Sequence, residues 1–362
     1  QATGELDDSG ILALALFEAG HWKESEQIIR YIIPKLVALG NFWSASVALG
    51  TLLKILLNTG RFEDALKISE EKKDYTLQAG LGPWTQLADD DLRLHVLDAL
   101  GRHEEVLQGV KNLRQQMKIL PEKSAQKEAY LSWDVHVGIL NVGVSSAVRL
   151  HKYEEALEFN AEIIEIKKSR GAPELALAQS CFNSYSSLLH LKRYEEVERL
   201  LLSCREVFER KRSVEMLGVV FAAIADLRDR LGQKDQAISL EETALRYNYI
   251  LGQPEFIAGG HHNLASYLAK DGSQSALDHR LAAAAILSQI RSRFLVSNLG
   301  MLSWDLEKFG PEALPESFDQ LCDRVEQLDG VRFRELWARL PKQAEDDDQL
   351  LKDIIKAAKA AS

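Results

Sequence analysis

The side chains best suited to chemistry are nine histidines, three cysteines and several runs of carboxylates. His261-His262 is the only adjacent histidine pair. Neighbours on a helix diverge by about 100°, so two adjacent imidazoles do not readily share one metal. His261 falls at a packing position and His262 on a more open face. Cys181, Cys204 and Cys322 cannot all pair, and none has C-x-x-C spacing. That argues against a disulfide framework and a thiolate zinc site, and points to a reducing cytoplasm. Cys181 and Cys204 fall on the two helices of one hairpin and read as small buried apolar residues. Glu104-Glu105, Glu154-Glu155 and Glu195-Glu196 resemble acid–base pairs, yet they recur at one place in a repeat and read as surface residues of a helix's first turn. Asp89-Asp90-Asp91 and Asp346-Asp347-Asp348 read as a helix start and a solvated linker. The sequence has no G-x-x-x-x-G-K-[ST], no G-x-G-x-x-G after a strand, no H-E-x-x-H and no G-x-S-x-G. No catalytic residue, cofactor or metal is expected.

The elements behind these residues are helical. The 362 residues include only 22 glycines and 8 prolines, and 46% are hydrophobic. Both helix breakers are scarce and a core is affordable. The net charge is −10, from 44 basic and 54 acidic residues. This argues against general binding to nucleic acid or an anionic membrane. No run approaches 18 apolar residues, so no membrane span is expected. Residues 1–10 carry no secretion signal, and the chain opens on Gln rather than Met. It reads as a segment of a larger protein.

One phrase recurs: a turn residue, a basic or polar residue, a ring or polar residue, two mostly acidic residues, then a small one. It appears as Gly20-His-Trp22-Lys-Glu-Ser25, Gly60-Arg-Phe62-Glu-Asp-Ala65 and Gly101-Arg-His103-Glu-Glu-Val106. It continues as His151-Lys-Tyr153-Glu-Glu-Ala156, Lys192-Arg-Tyr194-Glu-Glu-Val197 and Gly232-Gln-Lys234-Asp-Gln-Ala237, with a degenerate copy at Gly272 to Ala276. The small residues at 25, 65, 106, 156, 197, 237 and 276 are 40, 41, 50, 41, 40 and 39 apart. Each glycine ends one helix in a left-handed cap, and the acidic pair favours the positive end of the next helix's dipole. The ring fills the gap to the partner helix, and the small residue lets two backbones approach. Second helices are expected to start near 21, 61, 102, 152, 193, 233 and 273. They end at Gly40, Gly80, Gly171 and Gly252, with Pro83, Pro173 and Pro254 opening the helices that follow. Trp22 and Trp43 read as core. The 50-residue step places an insertion at about 119–136, read as a loop and an elongated helix.

These residues resemble the tetratricopeptide repeat family. Its Gly-x-aromatic-x-x-Ala phrase is matched by Gly60, Phe62 and Ala65, and a later small residue by Ala244. Its Leu-small pair is matched by Leu12-Ala13, Ile224-Ala225 and Leu264-Ala265. The spacing is longer than that family's usual one, and a glycine-ended turn stands where the family has proline. In this the chain is similar to the arrays of maltose-regulon-activator-type signal-transduction ATPases, kinesin light chains and bacterial peptide-sensing regulators. The resemblance covers residues 6–292. It implies an all-α, right-handed superhelical solenoid of about seven hairpins, with first helices lining a concave groove. The implied groove residues are Lys54, Asn58, His95, Asp98, Asn141, Ser145, Arg149, Asn183, Ser186, His190, Asp226, Asp229, Arg230, His262, Asn263 and Ser266. Asn183 and Asn263 stand where such domains often bond a peptide backbone, and Arg149 could pair with a ligand carboxylate.

Residues 293–362 read as a capping segment: helices over Phe294–Phe309, Pro315–Leu328, Val331–Leu340 and Asp347–Ala361, the last loosely held. The expected function is a non-enzymatic recognition scaffold or sensor module of a larger signalling protein, with a protein or peptide partner. The alternative is a regulatory arm whose parent carries an NTPase or protease domain. An enzyme built from the helices themselves is disfavoured by the lack of motifs.

Overall fold

The computed structural model describes residues 2–292, 294–341 and 346–361, and among them every regular element is helical. The chain divides into two compact units, Gln1–Ala172 and Pro173–Ser362. It is an all-α stack of helical hairpins of the tetratricopeptide type.

In the first unit α1 (Ala2–Glu18) pairs with α2 (Trp22–Ala38), and α3 (Phe42–Asn58) with α4 (Phe62–Gln78). Next, α5 (Pro83–Ala99) pairs with α6 (His103–Ile119), and α7 (Ser132–Arg149) with α8 (Tyr153–Ser169). The turns explain the glycines. Gly20, Gly60 and Gly101 have φ of 84°, 72° and 75°, in the left-handed region that a Cβ disfavours by about 1–2 kcal/mol. Backbone bonds then fold the chain back, as Arg61 N to Leu56 O at 2.9 Å. Two later hairpins turn on His151 and Lys192, with φ of 57° and 59° despite their side chains. The small residue of the phrase is buried in all seven copies: Ser25, Ala65, Val106, Ala156, Val197, Ala237 and Ala276 are at most 1% exposed. Its ring is less enclosed. Trp22 and Trp43 each remain 37% exposed, and so are not core residues.

The insertion is a loop and not a lengthened helix. Residues between α6 and α7 form no regular element, and α7 has 18 residues against 17 for its neighbours. The loop does structural work at the start of α5. Glu128 accepts bonds from the Trp84 and Thr85 amides (3.2 and 2.8 Å) and from the Thr85 hydroxyl (2.7 Å). The Gly82 amide donates to Lys127 O at 2.8 Å, and the Trp84 indole to Pro121 O at 2.8 Å. A carboxylate from 43 residues away thus caps the positive end of a helix that has no capping side chain of its own. Glu128→Ala should destabilise the protein by about 1–2 kcal/mol, read as a lowered urea midpoint. An unchanged midpoint would show that the loop merely covers α5.

In the second unit the first hairpin is interrupted: α9 (Glu174–Phe182) and α10 (Tyr185–His190) together face α11 (Tyr194–Arg210). Pro173 precedes α9 as its N-cap and is not its first residue, whereas Pro83 and Pro254 open their helices. Then α12 (Val214–Arg230) pairs with α13 (Lys234–Leu251), and α14 (Pro254–Asp271) with α15 (Ser275–Gln289). The chain continues through α16 (Leu295–Phe309), a 3-10 turn (Pro311–Ala313), α17 (Phe318–Val325), α18 (Phe333–Arg339) and α19 (Asp347–Ala360). α17 is shorter than the expected Pro315–Leu328 because the 3-10 turn and the Ser317 N-cap delay its start. α14, α16, α17 and α19 surround α15, whose residues Ala276–Leu287 are all buried. The closing helix is seated, with Leu351, Ile354 and Ala358 at most 5% exposed in the same core, contrary to the loose tail expected. Asp346 caps it by accepting from the Asp348 and Gln349 amides.

Candidate functional site

The second unit contains a pocket of about 480 Å³ between α10, α12, α13 and α14. Room for it comes from side chains that are missing or small: Gly218, Ala222 and Ala223 from α12, Gly259 and Gly260 from α14. Gly218 and Gly260 have a second reason to be glycine. A Cβ there would lie 2.6 Å from Asn248 Oδ1 and 2.8 Å from Leu245 Cδ1, so α13 could not approach. Polar groups project into this space: Tyr185, Asp226, Glu241, Asn248, Glu255, Asn263 and Tyr267, with no lysine, arginine or histidine among the lining residues.

Glu241 dominates the electrostatics. It is 0% exposed, and neither carboxylate oxygen has a hydrogen-bond partner of proper geometry. Burial pushes its pKa up to about 8, aided by the charge of Asp226; the nearby Asn263 amide pulls the other way without completing a full bond. Asn248 is held by its own bond to Phe256 O at 3.1 Å. Burial also raises the Tyr185 and Tyr267 phenols, so both stay neutral donors.

The sign of the stability effect follows. Glu241 takes up its proton more tightly folded than unfolded. Stability is therefore full below the unfolded value of 4.5 and is lost as pH rises towards about 8. Glu241→Gln, which mimics the protonated form, should match the parent near pH 4.5 and exceed it at pH 8 by on the order of 4 kcal/mol. Thermal midpoints of both proteins across this range check it; parallel curves would mean that Glu241 stays ionised.

The sixteen expected groove residues divide into three sets. Asp226 and Asn263 lie on the pocket, with Asp226 also accepting from Arg230 at 3.1 Å. His262 and Ser266 are engaged by Arg280 instead: one Arg280 amino group reaches His262 Nδ1 at 2.9 Å, the other donates to Ser266 Oγ at 3.1 Å. Asn298 also donates to His262 Nδ1 at 3.0 Å, and burial beside the guanidinium pushes this imidazole down to about 4. In the first unit Asp98 accepts from Ser145 (3.2 Å), Ser146 (2.6 Å) and His103 (2.9 Å), a clasp joining α5, α6 and α7. His95 lies 3.7 Å from Asp91. Asp229 bonds Lys270, and His190 donates to Ser186 O at 2.7 Å. Lys54, Asn58, Asn141 and Arg149 stand exposed on α3 and α7. Asn183 is exposed too, in the break between α9 and α10 rather than within a helix.

His261 and His262 do not act together. His261 is wholly buried, with Nε2 bonded to the Tyr249 hydroxyl at 2.8 Å and Nδ1 to His279 at 2.8 Å, and burial holds it well below its usual pKa. Cys204 and Cys322 are buried, and burial pushes each thiol up to about 12, while Cys181 is half-buried.

Sequence reasoning missed Glu241, although a signal existed. Four residues after each small residue of the phrase stand Ile29, Ser69, Val110, Asn160, Leu201, Glu241 and Arg280, each at most 2% exposed. A full charge at a position the repeat always buries marks a functional or ion-paired group.

The fold defines a tetratricopeptide-type solenoid, and solved structures agree. RapI in its apo form superposes with a TM-score of 0.59 at 10% identity, covering 98% of this chain and 97% of that one. A Rap protein complexed with Competence and Sporulation Factor gives 0.51 at 13% identity, over 81% and 78%. A Signal Transduction ATPase with Numerous Domains, with a tetratricopeptide repeat sensor, from Pyrococcus horikoshii gives 0.57 at 11% identity; the match covers 87% of this chain but 46% of that one. No protein-family model and no curated protein matches the sequence. Among the described residues, no helix is long and apolar enough to cross a membrane.

Proposed function

We propose that this chain is a non-enzymatic recognition module of a larger signalling protein, which binds a peptide or protein segment on the exposed faces of its first helices. The carrying observation is the pocket between α12 and α14, floored by glycine and alanine and edged by Asp226 and Asn263. An asparagine amide both donates and accepts, as a peptide backbone requires. The likeness to a Rap protein complexed with Competence and Sporulation Factor supports this reading. Exposed Lys54, Asn58, Asn141 and Arg149 would offer contacts on the first unit. A cytoplasmic setting suits a chain with three cysteines, none of them in C-x-x-C spacing.

Affinity capture followed by titration calorimetry tests the proposal. Asn263→Ala and Asp226→Ala should each weaken binding of a captured partner while keeping the parent's circular dichroism. A partner whose affinity is indifferent to the first two changes would remove the pocket from recognition. A second reading, a regulatory arm beside an NTPase domain, draws on the likeness to the Pyrococcus horikoshii protein. A P-loop coding segment adjoining this chain would favour it.

A further inference from the structure

Glu241 is an acid in an unusual position. It is fully enclosed, only the Asn263 amide lies near its carboxyl without completing a well-formed bond, and it forms part of the wall of a 480 Å³ space. A buried charge without a partner is normally removed from a core or neutralised. Here two other carboxylates, Asp226 and Glu255, share the walls, and no basic side chain lines them.

We infer that this pocket receives the alkylammonium or guanidinium end of a ligand, with Glu241 as its enclosed counter-ion and Asp226 as a second carboxylate. The inference rests on the recognition reading above and names the chemistry of its ligand. The volume lies within the range of small-ligand pockets. Tyr185 and Tyr267 supply phenol oxygens that can accept from a cation, and Asn263 a carbonyl acceptor. Gly259 opens the entrance: a Cβ there would meet nothing within 4 Å. The charged or titratable groups that share the pocket with Glu241 are Tyr185 from α10, Asp226 with its partner Arg230 from α12, and from α14 Tyr267 and Glu255, which accepts from the Ser292 hydroxyl at 2.9 Å. Because burial keeps Glu241 protonated near neutral pH, a cation entering the pocket displaces that proton to solvent.

The cation could belong to a basic residue of a peptide or to a free amine, and two probes separate these sources. The full chain is titrated at pH 7 with agmatine and with an amide-blocked Gly-Arg-Gly peptide, in phosphate and in PIPES. Saturable binding of either probe is expected, with roughly one proton passed to the buffer per cation bound. Tighter agmatine binding assigns the site to free amines, tighter peptide binding to basic residues. Glu241→Gln should weaken the tighter probe at least about tenfold while keeping the parent's circular dichroism. Gly259→Leu, which fills open space, should weaken it similarly. Absence of saturable binding of both probes at millimolar concentration, or unchanged affinity in Glu241→Gln, overturns the inference. If a captured neutral or acidic partner loses affinity in Asn263→Ala but not in Glu241→Gln, the recognition reading stands and the cation site falls.

Discussion

Arg280→Met should cost the second unit about 3–5 kcal/mol, seen as a fall of roughly 10 °C in its thermal midpoint. Arg280 and Asp305 have fully enclosed side chains and meet at 2.8 Å. The guanidinium also donates to the His262 carbonyl at 2.9 Å and to Ser266. Burial lowers the Arg280 pKa and raises that of Asp305, so both charges sit at a desolvation cost that their attraction only partly offsets. Asp305 Oδ1 has no hydrogen-bond partner among the described residues. Removing the cation leaves a carboxylate inside a closed core, which is the expensive outcome. Arg280→Met with Asp305→Leu removes both charges while keeping bulk, and should recover most of the loss. If the double variant is no more stable than the single, the arginine acts through packing and the ion-pair account fails.

Lys72→Met in the first unit carries an expected loss of similar size, about 3–5 kcal/mol by urea denaturation. Lys72 bonds Asp89 and reaches Ser46 Oγ at 3.2 Å; Ser46 in turn meets Thr76 at 2.8 Å. The lysine and aspartate side chains are 6% and 0% exposed. Gly50 makes room for the lysine stem, since a Cβ there would stand 3.3 Å from Lys72 Cε. Methionine keeps that stem and loses only the charge. Lys72→Met with Asp89→Leu removes both charges and should recover most of the loss; a double variant no more stable than the single one would assign the lysine a purely steric role.

These residues show what a repeat pattern conveys and where it stops. The hairpins were legible because glycine, ring and small residue each answer a local demand of one turn and one helix pair. Burial at Ala65 or Ala237 follows from that demand alone. The partner of a buried charge does not. Asp305 lies 25 residues beyond Arg280, on a helix outside the repeat, and Glu128 reaches back 43 residues to Thr85. The groove was read from family geometry, which places side chains on a face without saying which are already occupied. Asp98 and Ser145 bond each other across two helices, and His262 is held by Arg280, while Asn263 stays at a pocket edge. The break at Asn183 and the exposure of Trp22 and Trp43 depend on how neighbouring helices stack, which periodicity does not encode.

The enclosure of α15 has a kinetic consequence. A helix surrounded by protein offers no side from which water can peel it away, so its amides exchange with deuterium only when the whole second unit opens. The segments α9 and α10, of 9 and 6 residues, each lack the length to hold a helix unaided and should exchange first. Protection should thus rise steeply from residue 174 towards residue 287, giving this unit a fixed order of unravelling.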